Sequence, residues 1–140
     1  MTSNSRPAFS EIWMRLAHDI ARRSTCKRLS VGVVVASEDN RRVYAIGYNG
    51  SPAGMPHDCS GEPSVCGCSH AEMAASASCT TQREAPKIVY QTHSPCRLCA
   101  SIWLHLGGVT KLYYASEYRS RDGLDLLERA GINTIQKELA

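Results

Sequence analysis

The sequence predicts an α/β fold: a three-layer α/β/α sandwich around a central mixed sheet of about five strands. Two observations predict it. Apolar, β-branched runs typical of strands alternate along the chain with segments whose apolar residues recur at helical spacing. The chain has 140 residues, of which 43% are hydrophobic and 21% charged, as is typical of one soluble domain. We therefore expect residues 1–140 to form a single domain.

The first predicted elements are a helix and a β-hairpin. Residues 10–24 are predicted to be helical because apolar side chains recur on one face, and Ser10 can cap the start. Strands are predicted at 31–36, which is a β-branched run, and at 42–48. Turn-forming residues at 38–40 separate them, which indicates a hairpin.

The rest of the chain is predicted to alternate helices and strands after one long loop. Residues 49–69 are rich in Gly, Pro, Ser and Cys and show no apolar period. A loop of that length usually carries function or is held in place by a metal. The elements after it follow in the order helix, strand, helix, strand, helix, strand, at 70–79, 87–92, 95–106, 111–115, 122–130 and 132–135.

Charge and hydropathy exclude some classes of function. Lys and Arg number 16 against 13 Asp and Glu, and this net charge of +3 suits a small anionic substrate rather than duplex nucleic acid. No stretch approaches the roughly 20 apolar residues that span a bilayer, and residues 1–7 are polar, unlike a signal peptide. We therefore expect a cytoplasmic protein with neither a membrane nor a nucleic acid as partner.

Cysteine is the unusual residue of this composition. There are seven cysteines, and six of them lie between residues 59 and 99. In a reducing compartment such a cluster indicates metal binding rather than disulfides. A secreted disulfide scaffold is the alternative, and the polar start of the chain argues against it.

One candidate metal site combines a histidine with two cysteines. His70 lies at the predicted start of one helix, and Cys96 and Cys99 lie at the start of another, where the helix dipole and a metal lower the pKa of a thiol. These are suitable zinc ligands, and zinc with three protein ligands keeps a fourth position for water. The pattern predicts a catalytic Zn²⁺ site, with Glu72 as the candidate general base.

Each part of this pattern has another interpretation. Ser69 with Glu72 fits a capping box, and Ser94 can cap the next helix with Pro95 at its first position. Cys-x-x-Cys alone is also typical of redox pairs. Cys68 is a possible fourth ligand, which would close the site into a structural zinc centre. The corresponding function is that of a non-enzymatic zinc module.

His-x-Glu followed by Pro-Cys-x-x-Cys is the signature of zinc nucleobase deaminases. Zinc activates a water for attack on C4 of a cytosine ring, and Glu72 is the residue placed to take and deliver the protons. The expected products are uracil and ammonia.

Over residues 12–119 the sequence resembles the cytidine and deoxycytidylate deaminase family, in its deoxycytidylate branch. The resemblance implies a cytidine deaminase-like fold and the zinc-dependent hydrolysis of dCMP to dUMP, which supplies thymidylate synthesis. It rests on six runs in order: Arg-Ser-Thr-Cys at 23–26, Val-Gly-Val-Val-Val at 31–35, Gly-Tyr-Asn-Gly-Ser-Pro at 47–52, His-Ala-Glu-Met at 70–73, Thr-His-Ser-Pro-Cys-Arg-Leu-Cys at 92–99 and Tyr-Arg at 118–119.

The resemblance also implies residues that bind substrate. Asn49 would bond the sugar 3′-hydroxyl, Tyr118 would pack at the nucleotide, and Arg28 and Arg119 would hold the phosphate, a task that suits the planar guanidinium. Without the resemblance, Asn-Gly is first of all a turn signal, and most surface arginines are merely solvated. The predicted substrate-binding set is Arg28, Asn49, Ala71, Ser94, Tyr118 and Arg119.

Regulation, assembly and substrate choice follow only from the resemblance. It implies a homohexamer and, in many members, activation by dCTP and inhibition by dTTP near the Gly-Tyr-Asn-Gly run. Some viral relatives lack that regulation and accept dCTP, so a dCTP, bifunctional or 5-modified cytosine nucleotide deaminase is the alternative. The chain has Ala74 where members usually have Asn. A nucleic-acid-editing deaminase would need a basic or aromatic channel for a single strand.

The remaining cysteines predict a second, structural zinc site. A closed tetrathiolate centre would hold the long loop against the end of the first helix, and bacterial and phage relatives have a structural zinc in this region. His57 is a possible substitute ligand, and buried free thiols are the alternative, which we expect for Cys79. The four predicted ligands are Cys26, Cys59, Cys66 and Cys68.

Overall fold

The structure is a computed structural model that describes residues 5–62 and 66–139. Every predicted helix and strand is present, with ends that differ by a few residues from the predicted ones. In chain order the elements are α1 (Phe9–Ala21), β1 (Gly32–Ser37), β2 (Val43–Tyr48), α2 (Ala71–Ala77), β3 (Lys87–His93), α3 (Arg97–Leu106), β4 (Val109–Ser116), α4 (Asp122–Arg129) and β5 (Asn133–Gln136).

The five strands form one mixed sheet in the order β2-β1-β3-β4-β5. β1 runs antiparallel to both β2 and β3, whereas β3, β4 and β5 are parallel. The β1–β2 hairpin turns at Asn40, which has a φ of 64°, in the left-handed region that asparagine tolerates better than most residues. The mixed sheet of five strands confirms the prediction.

Helices cover both faces of the sheet and give the predicted three layers. A hydrophobic core lies on each face of the sheet. β3 contributes side chains to both cores, because alternate side chains of a strand point to opposite faces. α1 covers one face, and its core comprises Met14, Ala17, Val34, Ala36, Ile88, Tyr90 and Ala115. The other helices cover the opposite face, whose core includes Val33, Val35, Ala71, Ala75, Val89, Ala100, Trp103, Leu112, Leu124 and Leu127.

Two glycines allow helices to approach the backbone beneath them. A Cβ at Gly47 of β2 would collide with the carbonyl of Ala71, so the start of α2 can lie directly on the strand. A Cβ at Gly123 of α4 would likewise collide with the carbonyl of Pro95, just before α3. Close packing at Gly47 places the start of α2 on the sheet, and close packing at Gly123 places α4 against the residues that precede α3.

The helix caps differ from the predicted ones. The N-cap residues are Ala8 for α1, His70 for α2 and Cys96 for α3, and none of their side chains makes a capping hydrogen bond. The predicted caps at Ser10, Ser69 and Ser94 are therefore wrong. In α2 and α3 the cap position is occupied by a side chain that faces the neighbouring helix instead.

The long segment between β2 and α2 is irregular, as predicted. Within its described residues, the backbone pairing is an isolated antiparallel bridge between Gly50 and Ser69, which brings the two ends of the segment together. Across residues 5–62 and 66–139, no helix is both long and apolar enough to cross a membrane.

Candidate active site and metal centres

The starts of α2 and α3 meet where β3 ends, and they bring together the predicted ligands His70, Cys96 and Cys99. Nδ1 of His70 lies 3.2 Å from Sγ of Cys99 and 3.8 Å from Sγ of Cys96. The three ligand atoms all lie within 4.8 Å of one another. Two of these residues precede helices, and Cys99 lies in the first turn of α3.

This donor set fits zinc. A tetrahedral site with Zn–S bonds of about 2.3 Å has edges of about 3.8 Å between its ligand atoms, close to the distance between His70 and Cys96. The pKa of Cys96 is lowered to about 4, because the side chains of Cys99 and His70 hydrogen-bond to it. A thiolate beside an imidazole is the chemistry that zinc binding requires, and three ligands leave one position for a water.

Glu72 lies beside the three ligands, in the first turn of α2. It is 5% exposed, and this burial raises the pKa of its carboxyl group above the usual value. The amide of Gln91 donates a hydrogen bond to Oε2 of Glu72 over 2.9 Å. A buried carboxyl group with a raised pKa next to a candidate metal site is suited to the role of a general base.

A cavity of about 510 Å³, including its open mouth, lies over this site. Five of the six predicted substrate-binding residues line the cavity, and Arg119 is the exception within the described chain. Those five are Arg28, Asn49, Ala71, Ser94 and Tyr118.

The polar side chains of this cavity are held by neighbouring backbone. Asn49 accepts a hydrogen bond from the Val31 amide over 2.9 Å and donates one to the Leu29 carbonyl over 2.6 Å. The hydroxyl of Ser94 accepts a hydrogen bond from the Tyr118 amide over 2.7 Å. These contacts fix the walls of the cavity on both sides of the metal ligands.

Two arginines flank Tyr118 at the mouth of the cavity. The Arg28 side chain lies beside the side chains of Tyr118 and Cys66. The guanidinium of Arg119 lies over the Tyr118 ring, 5.2 Å from its centroid. Both cations therefore lie beside the same aromatic ring, although only Arg28 lines the cavity.

The four other predicted ligands form a second cluster. Sγ of Cys59 lies 3.9 Å from Sγ of Cys26, and all four sulfur atoms lie within 4.8 Å of one another. The pKa of Cys59 is lowered to about 6, chiefly by the backbone amide of Lys27. Cys26, Cys66 and Cys68 also line the substrate cavity, so this cluster forms part of its wall.

The grouping of the thiols decides between several earlier interpretations. Cys68 lies with the second cluster, so the geometry does not support it as a fourth ligand beside His70. His57 lines another cavity, near Tyr48. Cys79 is half-buried against the core of the sheet, as expected for a free thiol.

Sequence comparison identifies the family. The profile of the cytidine and deoxycytidylate deaminase zinc-binding region matches residues 8–116. That match covers α1 through β4 and includes both sets of candidate ligands. The chain belongs to the cytidine and deoxycytidylate deaminase family.

Curated relatives of this family member come from bacteria, phages and yeasts. ComE operon protein 2 of Bacillus subtilis is 35% identical, over 96% of this chain and 74% of the relative. The deoxycytidylate deaminase of Mycobacterium phage D29 is 33% identical, over 81% of this chain and 98% of the relative.

Solved structures share the fold of this deaminase family member. The dCMP deaminase of cyanophage S-TIM5, solved in complex with dCMP and dUMP, has a TM-score of 0.80 and 30% identity. The alignment covers 96% of this chain and all of the phage chain. The Rib2 deaminase of Aspergillus oryzae, with a TM-score of 0.65 and 16% identity over 92% of this chain and 84% of its own, shows the fold alone.

Sequence reasoning missed three residues of the site. His93 lines the cavity, and Gln91 and Trp103 form a buried hydrogen-bond chain behind Glu72. A signal for Gln91 was present, since it is a polar residue that directly follows the apolar run Ile-Val-Tyr at 88–90 within a predicted strand. Nothing in the spacing connected it to Glu72, because the contact depends on how α2 lies across β3.

Proposed function

We propose that this chain is a zinc-dependent deoxycytidylate deaminase, which hydrolyses dCMP to dUMP and ammonia and so supplies thymidylate synthesis. The observation that carries the proposal is the buried Glu72 carboxyl group, which lines a cavity beside three zinc-type ligands. The deoxycytidylate deaminases among its relatives support dCMP as the substrate. We assign residues 1–140 to one deaminase domain.

His70, Cys96 and Cys99 would hold the catalytic zinc. A zinc ion supplies Lewis-acid activation of a water molecule at neutral pH. The cavity wall at Ala71 and Ser94 would leave room for a flat pyrimidine ring against these ligands. Both residues are buried and held in place, Ala71 by its packing on Gly47 and Ser94 by the Tyr118 amide.

Glu72 would carry the protons. Its carboxylate takes one proton from the attacking water and delivers it to N3 of the ring, and it then transfers the proton of the new C4 hydroxyl group to the departing amino group. The C4–O bond forms, the C4–N bond breaks, and ammonia leaves. Burial raises the pKa of the Glu72 carboxyl group above its usual value, which makes it a better proton acceptor than an exposed carboxylate.

The phosphate and sugar would be bound at the mouth of the cavity. Arg28 and Arg119 would hold the 5′-phosphate from either side of Tyr118, whose ring packs against the nucleotide. Asn49 would bond the 3′-hydroxyl with the hydrogen-bonding capacity that remains after its contacts to Leu29 and Val31.

The four-cysteine cluster would hold a second, structural zinc. Its ligands come from the segment that follows α1 and from the long segment before α2, which lie far apart in sequence. A closed tetrathiolate site joins such segments and contributes its binding free energy to folding. Because three of its cysteines line the cavity, the same metal would also shape the substrate pocket.

A separate cavity would bind the effectors dCTP and dTTP. It lies beside the Gly-Tyr-Asn-Gly run and is lined by polar residues that include Arg23, Ser51 and His57. The guanidinium of Arg23 lies 5.6 Å from the centroid of the Tyr48 ring, a pairing suited to a phosphate and a base. We further propose a homohexamer in the cytoplasm, where reducing conditions keep the six cysteines of the two candidate sites available for metal.

A substrate panel tests the proposal. The zinc-loaded protein is offered deoxycytidine, dCMP, dCTP, a 5-modified dCMP and a short cytosine-containing DNA strand, with ammonia release and ultraviolet absorbance as readouts. We expect the highest kcat/KM for dCMP. Preference for dCTP or the modified nucleotide would identify the alternative nucleotide deaminase, and activity only on the strand would contradict the proposal.

Glu72→Gln is the matched control for chemistry. The amide keeps the size of the carboxyl group but cannot carry the protons, so we expect kcat to fall by at least about 100-fold. Zinc content, measured by elemental analysis, should stay unchanged. Full activity of the variant would contradict the mechanism.

Adding dCTP or dTTP at a fixed dCMP concentration tests whether the second cavity binds effectors, and light scattering measures the oligomeric state.

A further inference from the structure

We propose that Gln91 is a positioning residue for the deamination: Trp103 holds its amide in one orientation, and the amide fixes the Glu72 carboxylate for proton transfer. The inference rests on the proposed function, which gives Glu72 the proton transfers. All three side chains are buried, with Gln91 and Trp103 fully inaccessible to solvent.

Trp103 determines which way the amide of Gln91 points. The indole N–H can only donate a hydrogen bond, and it lies 3.0 Å from Oε1 of Gln91. A flipped amide would set its NH₂ group against the indole N–H and its oxygen against the carboxylate of Glu72. Only the observed orientation satisfies both ends.

The amide nitrogen of Gln91 is fully used in that orientation. It donates to Oε2 of Glu72 over 2.9 Å and to the carbonyl of His93 over 2.6 Å. Rotation of the amide would leave buried polar groups unsatisfied, which costs about 1–3 kcal/mol for each group. Oε2 of Glu72 is therefore fixed. Oε1 is the oxygen that we expect to exchange protons with the attacking water and with the cytosine ring of the substrate.

The chain of hydrogen bonds connects three elements of the fold. Gln91 lies in β3, Glu72 in α2 and Trp103 in α3. Trp103 follows Cys99 by four residues, so both lie on the same face of α3. The helix that supplies a metal ligand thus also sets the position of the general base. A misplacement of about 1 Å at such a base can lower the rate about 100-fold.

Gln91→Met tests the inference. Methionine has a similar length and no amide, so it fills the space without holding Glu72. With dCMP as substrate we expect kcat to fall about 10- to 100-fold, with KM within about twofold of the wild type and zinc content unchanged, because ground-state binding and the ligands are unchanged. Equilibrium binding of dUMP is measured alongside.

Tyr90→Phe is the matched control. Tyr90 is the neighbouring residue of the same strand, is equally buried, and points to the opposite face, where its hydroxyl donates to Asn40. The control loses one buried hydrogen bond without touching the site, so its kcat should stay within about twofold of the wild type.

Trp103→Phe tests the orientation of the amide separately. It keeps an aromatic ring and removes only the indole N–H, so the amide of Gln91 is no longer held in one orientation. We expect a smaller loss of kcat, about 3- to 10-fold, and a double variant no slower than Gln91→Met alone, because both act through Glu72. If Gln91→Met fails to fold, Trp103→Phe decides the question.

A spectroscopic readout is independent of turnover. The side-chain amide signals of Gln91 in a ¹⁵N–¹H spectrum should be protected from solvent exchange and should shift in Glu72→Gln and in Trp103→Phe. Absence of dCMP turnover by the wild type would contradict the proposed function. The amide signals would still test whether Trp103 and Glu72 hold the Gln91 side chain in one orientation.

Several results would overturn the assignment of Gln91. One is a loss of kcat in Gln91→Met no larger than in Tyr90→Phe. Another is a change confined to KM, and a third is a parallel loss of zinc, which would show that Gln91 acts on the ligands. Unshifted Gln91 signals in Trp103→Phe, with kcat unchanged, would also overturn it.

Discussion

His70 and Cys96 occupy equivalent places in two helices: each is the residue immediately before the first helical residue, and His70 Nδ1 lies 3.8 Å from Cys96 Sγ. Both have extended backbone, with ψ of 153° and 170°. Neither side chain caps its own helix, because each points to the other. The site is therefore assembled when α2 and α3 pack on the sheet, with Ala75 and Ala100 in the core beneath them.

Metal content distinguishes one zinc site from two. We expect two zinc ions per chain, and about one in Cys59→Ser, because that change removes one ligand of the four-cysteine cluster. The variant should also melt at least about 5 °C lower, since a loss of about 2 kcal/mol shifts the Tm of a chain this size by several degrees. Elemental analysis and thermal unfolding measure both.

Cys79→Ser provides the control for that experiment. Cys79 is a half-buried thiol outside both clusters, so its loss should leave two zinc ions per chain. One zinc per chain in the wild type, or equal zinc content in Cys59→Ser and Cys79→Ser, would show that the four-cysteine cluster holds no structural metal.

If Arg28 and Arg119 bind the phosphate, their loss should lower kcat/KM for the nucleotide dCMP more than for the nucleoside deoxycytidine. Arg28→Met and Arg119→Met should each lower kcat/KM for dCMP about 10- to 100-fold, because a hydrogen bond to a charged group contributes about 1.5–3 kcal/mol. Values for deoxycytidine should change less than about threefold. Steady-state kinetics with both substrates measures the ratio.

Arg15→Met, on the exposed side of α1, is the control for removal of a surface cation. This variant should leave kcat/KM unchanged for both dCMP and deoxycytidine. If an arginine substitution lowers turnover of dCMP and deoxycytidine equally, that arginine does not hold the phosphate. The deoxycytidine measurement also separates phosphate binding by Arg28 from its contact with Cys66.

Local sequence patterns predicted most of the fold. The β-branched run of β1 and the periodic apolar face of α1 depend on neighbours a few residues away, so the elements and the three layers followed from the sequence. The residues of the candidate metal site could also be identified from the sequence, because His-x-Glu and Pro-Cys-x-x-Cys concentrate rare residue types at helix starts.

Contacts between distant elements were not predictable in this way. The bond from Gln91 to Glu72 joins β3 to α2, and its existence depends on how close the helix lies to the sheet. The serine caps failed for a related reason: at Ser69 the backbone pairs with Gly50 instead of starting a helix. The Gln91–Glu72 hydrogen bond and the start of α2 both depend on packing between residues far apart in sequence. Local helix and strand propensities carry no information about such packing.

His18 predicts a pH dependence of stability. Its Nε2 is buried without a hydrogen-bond partner within the described chain, and burial lowers the pKa of its imidazole below the usual 6.5. The unfolded state therefore binds a proton more readily than the folded state, and the free energy of unfolding decreases as pH falls below about 6.5.

His18→Leu should remove that contribution. Its stability relative to the wild type should increase from pH 7.5 to pH 5.5, as chemical denaturation at each pH would show. His105→Leu, on the exposed side of α3, controls for removal of an imidazole. A constant difference between His18→Leu and the wild type across this range would contradict the prediction.

Lys87 is a buried cation whose partners are backbone carbonyls. It is fully inaccessible to solvent, and Nζ donates to the carbonyls of Gln82, Arg83, Ala85 and Gly107 over 2.8–3.1 Å. These acceptors come from the turn before β3 and from the end of α3. The ammonium group therefore holds that turn against the helix, at the opposite end of β3 from the metal ligands.

Lys87→Met should lower the free energy of unfolding by about 2–4 kcal/mol, because methionine fills a similar volume but leaves the buried carbonyls without a donor. The kcat of the folded variant should stay close to that of the wild type, since the change lies far from Glu72 along β3. Urea denaturation measures the stability. Lys111→Met, an exposed lysine on β4, should cost less than about 0.5 kcal/mol. Equal stability of the two variants would show that the hydrogen bonds from the Lys87 ammonium group to the carbonyls do not stabilise the fold.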